Sequence, residues 1–244
     1  GISAWHLARK SHVEVFTKTF RVAAIWTLSM CVFEMLQGHL SAEIVARTQP
    51  AKLAAMESHW ETQASAPMNL IVWPDQKNER NLVEALPVLG VLSFLAHYDF
   101  TTPVTGLKEF PKEDRPHVIP VFVSFRAMVA LGVLFFLVSL WAVWKSRRIG
   151  EQTLLLRILP WMIPLPYLTN LLGWTVAEMG RQPWIVYGLM RTEHGVSRIA
   201  ASQVWGSLFM FFAIYTLLGA IDFYLIWTFA RKGPLPETHV AAKA

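Results

Sequence analysis

Cysteine is nearly missing from this sequence: Cys31 is the only one, and it lies inside an apolar run. That excludes a disulfide framework and any thiolate metal cluster built from this chain alone, and it leaves the redox compartment unreadable from cysteines. Charged residues are scarce at 16%, and no internal repeat, low-complexity tract or soluble domain stands out. A charged n-region followed by a short apolar core and a small-residue cleavage site is also lacking, so the opening segment is not a signal peptide. The first residue is Gly1, and the expectation is a truncated or incompletely represented N-terminus.

Apolar side chains make up 54% of the 244 residues, with 11 Trp and 15 Phe, and the mean hydropathy is +0.37. Such a chain reads as a polytopic membrane protein rather than a soluble domain. The net charge of +5 raises the question of nucleic acid. The basic residues, however, sit at the ends of apolar runs and not along one face, which is a topological pattern.

Four segments can span about 30 Å of hydrocarbon: roughly 19–40, 118–144, 153–177 and 203–230. Lys18 and Arg21 precede the first, Lys145-Ser146-Arg147-Arg148 follows the second, and Arg231-Lys232 follows the fourth. With four spans all three clusters fall on one side, and the positive-inside rule predicts that both ends of this chain are cytoplasmic. The expected organisation is a cytoplasmic segment and first helix over 1–40, an outward-facing loop over 41–117, three further membrane helices over 118–232, and a mobile cytoplasmic tail over 233–244. The apolar stretch Asn81–Tyr98 is predicted to be a helix on, or dipping into, the outer surface, since a fifth span would invert the basic clusters. Pro160, Pro164 and Pro166 predict a kinked third span, one that also carries Arg157 and Asn170.

Charged groups at a bilayer are retained where they pair, bind something or face water. Trp174, Glu178 and Arg181 follow at intervals of four and three, so one helical face presents an indole, a carboxylate and a guanidinium at the exit of the third span. This is either an ion pair capping a helix exit beside an aromatic-belt Trp, or a cofactor or ion site. In the second span Arg126 lies inside the apolar run with Met128 deeper still. The Met is core filler or an axial ligand to haem iron; the Arg needs an anion, which a carboxylate or a porphyrin propionate would supply. In the outer loop, residues 49–62 read as a short helix with Glu57, Trp60 and Glu61 on neighbouring faces. Lys52 and Glu57 are five apart there, too far round to pair with each other. Glu34 and Asp222, inside spans, are proton-relay candidates or polar anchors near span ends. None of the eight His residues lies inside a predicted span: His6 and His12 precede the first, and His39 ends it.

Phe125-Arg126-Ala127-Met128, Trp174 through Gly180-Arg181-Gln182-Pro183-Trp184, and Lys52-Leu53-Ala54-Ala55-Met56-Glu57 with Trp60-Glu61-Thr62 together resemble subunit I of bacterial cytochrome bd quinol oxidase. The resemblance extends to Pro74-Asp75-Gln76, Gly106-Leu107-Lys108-Glu109 and Ile163-Pro164-Leu165-Pro166, and covers essentially the whole chain. It implies an all-α membrane helix bundle with about four transmembrane helices and an outward-facing quinol-binding loop, in a bacterial plasma membrane. It also implies an oxidase that takes electrons from membrane quinol, reduces dioxygen to water and generates a proton gradient, through a low-spin haem b, a high-spin haem b and a haem d.

By resemblance, Met128 matches the axial ligand of the low-spin haem b, with Arg126 beside its propionates. Glu178 matches the ligand of the high-spin haem b, Trp174 an aromatic between haems, and Arg181 a balancing charge. Lys52 and Glu57 match the quinol-binding pair. The family's haem His ligands lie in helices before the point where this chain begins, so the expected partners are the N-terminal half of subunit I, subunit II and small single-helix subunits, with membrane lipid and no nucleic acid. The stretch between Gly106 and His117 resembles the family's short loop form. The competing expectation is a haem-free transporter-like or assembly subunit whose spans merely carry stabilising ion pairs.

Overall fold

The computed structural model describes residues 1–234, so all but the first two residues of the expected tail lie outside the described residues. The described residues form eight α-helices: α1 Ile2–Ala8, α2 Val13–Thr48, α3 Pro50–Glu57, α4 Val91–His97, α5 Val118–Lys145, α6 Thr153–Ile158, α7 Leu165–Gly180 and α8 Ala201–Lys232. Three of them, α2, α5 and α8, are long and apolar enough to cross a membrane. A fourth span is formed if Thr153–Met162 and Leu165–Gly180 act as one broken crossing. The architecture is the predicted all-α membrane bundle. The predicted breakage is also there: α6 tightens into a 3₁₀ turn over Leu159–Met162, and α7 begins after Pro164. Pro160 and Pro166 each occupy an early helical position, where the missing N–H costs no intrahelical bond. The first helix runs past the expected limit of 40 to Thr48, because Ser41–Thr48 contains no Pro or Gly to stop it.

The chain divides into two compact units. The first comprises Gly1–Ala23, Lys145–Ile163 and the chain from Ser197 onward. Within it α1 packs against α6, burying Ala4, Leu7, Leu155 and Leu156. His6 is fully enclosed: its Nε2 lies 2.7 Å from the carbonyl of Ala230, and its ring stacks on Phe16 at 4.1 Å.

The second unit, Ala24–Trp144 with Pro164–Val196, holds every candidate haem and quinol residue. Its main core gathers Ala54, Ala55 and Met56 of α3 with Trp60, Leu107, Val118, Val121 and Val176. The small alanines let α3 approach α7 closely. Gly106 is needed here because a Cβ would sit 2.4 Å from the carbonyl carbon of Glu61. That contact brings Leu107 N–H onto His59 O at 2.9 Å and Lys108 N–H onto Trp60 O at 3.1 Å.

Two small antiparallel hairpins interrupt the helical pattern. Strands β1 Met68–Asp75 and β2 Arg80–Val88 pair from Met68 with Val88 to Asp75 with Arg80, with an irregularity at Trp73/Pro74. The helix predicted over Asn81–Tyr98 is therefore corrected: its first part, through Val88, is a strand, and only Val91–His97 is helical. Pro87 denies a continuous helix, while Ile71-Val72-Trp73 opposite supply a β-forming partner. The turn is built by Asp75, whose carboxylate accepts from the backbone and side-chain amides of Asn78. Likewise the helix expected through 62 ends at Glu57, because Ser58 turns into the left-handed region at φ 52°. Strands β3 Trp184–Val186 and β4 Met190–Arg191 form the second hairpin, directly after the cis Gln182-Pro183 bond.

Candidate functional site

Helix α3 presents two charged side chains to two different neighbours. Pro50 opens the helix at a position that suits its fixed φ, and six of the eight residues are buried. Glu57, at the last turn, has a side chain only 4% exposed, and its Oε2 accepts from the Arg126 guanidinium at 2.6 Å. Burial pushes its pKa up to about 7, and the Arg126 charge and hydrogen bond only partly oppose that. The sequence left the anion facing Arg126 open between a carboxylate and a propionate, and the family resemblance set Glu57 beside a quinol; the structure joins the two residues to each other.

Arg126 is partly buried on α5, with its guanidinium 5.3 Å from the Phe122 ring and its enclosed Nε lacking a hydrogen-bond partner. A partly enclosed guanidinium with an unmet donor is suited to a further anion. Two residues along, half-buried Met128 directs its sulfur at α7: a Cβ built on Gly173 would lie 3.2 Å from Met128 Sδ.

Lys52, one and a half turns before Glu57, reaches the other end of α7. Its Nζ lies 3.5 Å from Ala177 O, a long contact, and its carbons occupy the space left by Gly180, where a Cβ would come within 3.0 Å of Lys52 Cγ. Burial lowers the Lys52 pKa; Glu178 works against that and Arg181 adds to it. Lys52 therefore sits in the field of the Glu178–Arg181 pair and not of Glu57. The expectation that Lys52 and Glu57 do not pair with each other holds.

Glu178 and Arg181 form the pair that their spacing predicts. Arg181 donates twice to Glu178 Oε2, from Nε at 3.0 Å and from a terminal nitrogen at 2.5 Å, leaving Oε1 outside that fork. Both side chains are more than a third exposed. Trp174, one turn back, is 67% exposed and shares an open apolar surface of α7 with Tyr167 and Leu171. The hairpin after Pro183 is tied down by Thr192 N–H bonding to Pro183 O at 2.8 Å, and by Arg191, which pairs with Asp114 and lies over the Trp184 ring at 5.2 Å.

These residues fit a porphyrin in three respects. Arg126 has a spare buried donor for a propionate. Met128 offers a soft thioether beside side-chain-free helix, and Glu178 offers a hard carboxylate oxygen beside an exposed aromatic face. Among the described residues no group of three or more His, Cys, Asp or Glu side chains is placed to hold a metal ion, so an iron held here would depend on ring nitrogens for most of its coordination. An apolar hollow lined by Leu137, Leu140, Trp141, Val143 and Trp144 lies toward the other end of α5 and contains none of the candidate residues.

Sequence reasoning missed three residues at this site: Asn81 and Ser58, which meet at the end of α3, and Tyr187, whose phenol bonds with the Ala51 backbone while burial raises its pKa. An isolated Asn opening an apolar strand was the available signal for the first; nothing marked the other two.

The family described as cytochrome bd terminal oxidase subunit I matches residues 1–234. The cytochrome bd ubiquinol oxidase subunit 1 of Bacillus subtilis (strain 168) is 35% identical over 252 residues, covering 98% of this chain and 54% of the relative. The cytochrome bd-II ubiquinol oxidase subunit 1 of Escherichia coli (strain K12) is 30% identical over 301 residues, covering 96% and 58%. The solved bd oxidase of Geobacillus thermodenitrificans superposes with a TM-score of 0.77 at 30% identity, over 96% of this chain and 54% of that one. The chain thus spans about half the length of the curated relatives it matches.

Proposed function

Because the chain belongs to the cytochrome bd terminal oxidase subunit I family, we propose that it supplies the quinol-oxidising side and two haem ligands of a membrane oxidase that reduces dioxygen to water. The observation that carries this reading is the Glu57–Arg126 pair, which joins the candidate quinol contact in α3 to the helix bearing Met128. In this reading residues 41–117 form an outward-facing quinol loop, both ends of the chain face the cytoplasm, and the N-terminal half of subunit I, subunit II and small single-helix subunits complete the enzyme.

A quinol releases two protons and two electrons on oxidation, and four electrons reduce one dioxygen to two waters. Glu57, held near neutrality in its pKa, accepts a hydroxyl proton from the headgroup. Lys52, its charge partly disfavoured by burial, donates a hydrogen bond to a quinol oxygen. Arg126 stabilises the carboxylate before transfer and keeps its remaining donor for a propionate. Met128 is assigned to a low-spin haem b and Glu178 to a high-spin haem b. Trp174 would serve as an aromatic between haems, Arg181 would balance the Glu178 charge, and a haem d would complete the set. Bound haem supplies one-electron acceptance at a potential set by its axial ligands. Release of quinol protons outside and uptake of protons from inside for water formation would generate a proton gradient.

The test is a dithionite-reduced minus air-oxidised visible spectrum of the purified complex containing this chain, together with quinol-dependent oxygen consumption. Bands of b- and d-type haem with oxygen uptake are expected. A featureless spectrum from an intact complex would overturn the reading.

A further inference from the structure

The β1–β2 hairpin bonds to the chain beside each partner of the Glu57–Arg126 pair, through Gln76 in its turn and Asn81 near the start of β2. On one side Gln76 accepts, through Oε1, the first amide of α5 at Val118, 3.1 Å away, and so caps the helix that carries Arg126. On the other side Asn81 uses its whole side-chain amide at the end of α3. Its Oδ1 accepts from Ser58 Oγ at 2.6 Å and from Trp60 Nε1 at 3.0 Å. Its Nδ2 donates to Ser58 O at 3.0 Å and to Glu84 Oε1 at 2.6 Å. The indole N–H only donates, so it must face the amide oxygen, and that fixes which way the amide points. Between these contacts Glu79 pairs with Lys112 at 2.5 Å and Arg115 at 3.2 Å, binding the turn to the segment that leads into α5.

Ser58 follows Glu57 directly, is 1% exposed, and has a left-handed backbone at φ 52°, ψ 42°. A serine without a local constraint disfavours that conformation. Both its hydroxyl and its carbonyl are held by Asn81, so the direction in which the chain leaves Glu57 is set from the hairpin.

We propose that Asn81 and Gln76 are positioning residues of the quinol site, holding the carboxylate of Glu57 and the guanidinium of Arg126 in mutual register from a single β-hairpin. This rests on the reading of Glu57 as a quinol contact. The hairpin is then a jig: neither residue touches quinol, and each acts through the pair.

The test uses the assembled oxidase complex, with Glu57→Gln, Asn81→Asp, Gln76→Ala and the double variant Asn81→Asp/Glu57→Gln, assayed with a short-chain ubiquinol. Asn81→Asp keeps size and the Oδ1 acceptor but removes both donors. It is expected to raise the quinol KM roughly ten-fold, to flatten the pH dependence of kcat/KM near neutrality, and to leave the reduced-minus-oxidised haem spectrum unchanged. Gln76→Ala should act in the same direction. In the double variant the Asn81 substitution should add less than about two-fold to Glu57→Gln, because residues acting through one group are non-additive. Fully multiplicative effects, or normal quinol kinetics in Asn81→Asp where Glu57→Gln is impaired, would overturn the proposal. Loss of the assembled complex in both Asn81→Asp and Gln76→Ala would also overturn it, by making the roles merely architectural. Normal kinetics in Glu57→Gln itself would instead remove the reading of Glu57.

Discussion

Arg126 donates to Glu57 at 2.6 Å across 69 residues of sequence, and the carboxylate it meets is almost wholly enclosed. Removing Arg126 leaves the enclosed carboxylate of Glu57 without its partner, which is generally more costly than the pair is worth. The pair therefore couples the loop helix α3 to the membrane helix α5, and its protonation is open to experiment.

The kcat/KM for quinol is expected to rise as pH passes through about 7, where Glu57 becomes a carboxylate able to accept a proton. Because the folded pKa lies above the ordinary 4.5, the folded chain holds a proton that the unfolded chain has lost across that window. Stability from this group is thus full below 4.5 and declines as pH rises toward 7. Glu57→Gln should flatten the kcat/KM profile in steady-state assays across pH 5.5–8.5. A profile identical to the parent's would contradict the assignment.

Met128→Leu nearly conserves volume, so the fold should persist at a cost below about 1.5 kcal/mol. The low-spin haem b signal should vanish from the reduced-minus-oxidised spectrum while other haem bands remain. An unaltered spectrum would remove Met128 from the ligand set.

Glu178→Gln should perturb the high-spin haem b and leave Arg181 with a weaker, neutral acceptor. Ligand-binding spectra of the reduced complex with carbon monoxide would show it. A change confined to quinol affinity would place Glu178 elsewhere in the chemistry.

Lys52→Ala should raise the quinol KM about ten-fold with haem content retained, because it removes an ammonium in the field of Glu178 and Arg181 while the packing it loses is local, against Gly180. Pyridine haemochrome analysis beside Michaelis kinetics separates the two effects, and equal loss of every haem would speak against a local role.

Gly106→Ala should destabilise the loop by about 2 kcal/mol, since a methyl group there overlaps the Glu61 backbone. Limited proteolysis is expected to cut the loop faster than in the parent complex. Unchanged protection would mean that the 106–108 segment shifts without cost.

The membrane helices were legible because apolar length, basic clusters and the prolines near Ile163 are local signals. The Glu178–Arg181 pair was legible for the same reason: a spacing of three places both groups on one helical face. The Glu57–Arg126 pair was not, since its partners lie in different segments and only folding decides that they meet. The β1–β2 hairpin was hidden differently. Leu70, Ile71, Trp73, Leu82, Val83 and Leu86 are all exposed on it, so apolar residues on both faces erase the alternation that would announce a strand. The end of α3 at Ser58 was concealed because serine in the left-handed region is held by Asn81, well downstream in the sequence.

Not one residue of α8, over its 32 positions, is buried. Its conformation is then dictated by hydrocarbon, in which a single helix satisfies its own amides and carbonyls, while its location is a matter of assembly. Secondary structure and address are separately specified for this segment: a lipid bilayer suffices for the first, and for the second the helix depends on packing by small residues and polar contacts such as Asp222 can offer. In an insertion experiment α8 should therefore behave as an autonomous unit, entering the membrane with its helix already formed and settling into position last.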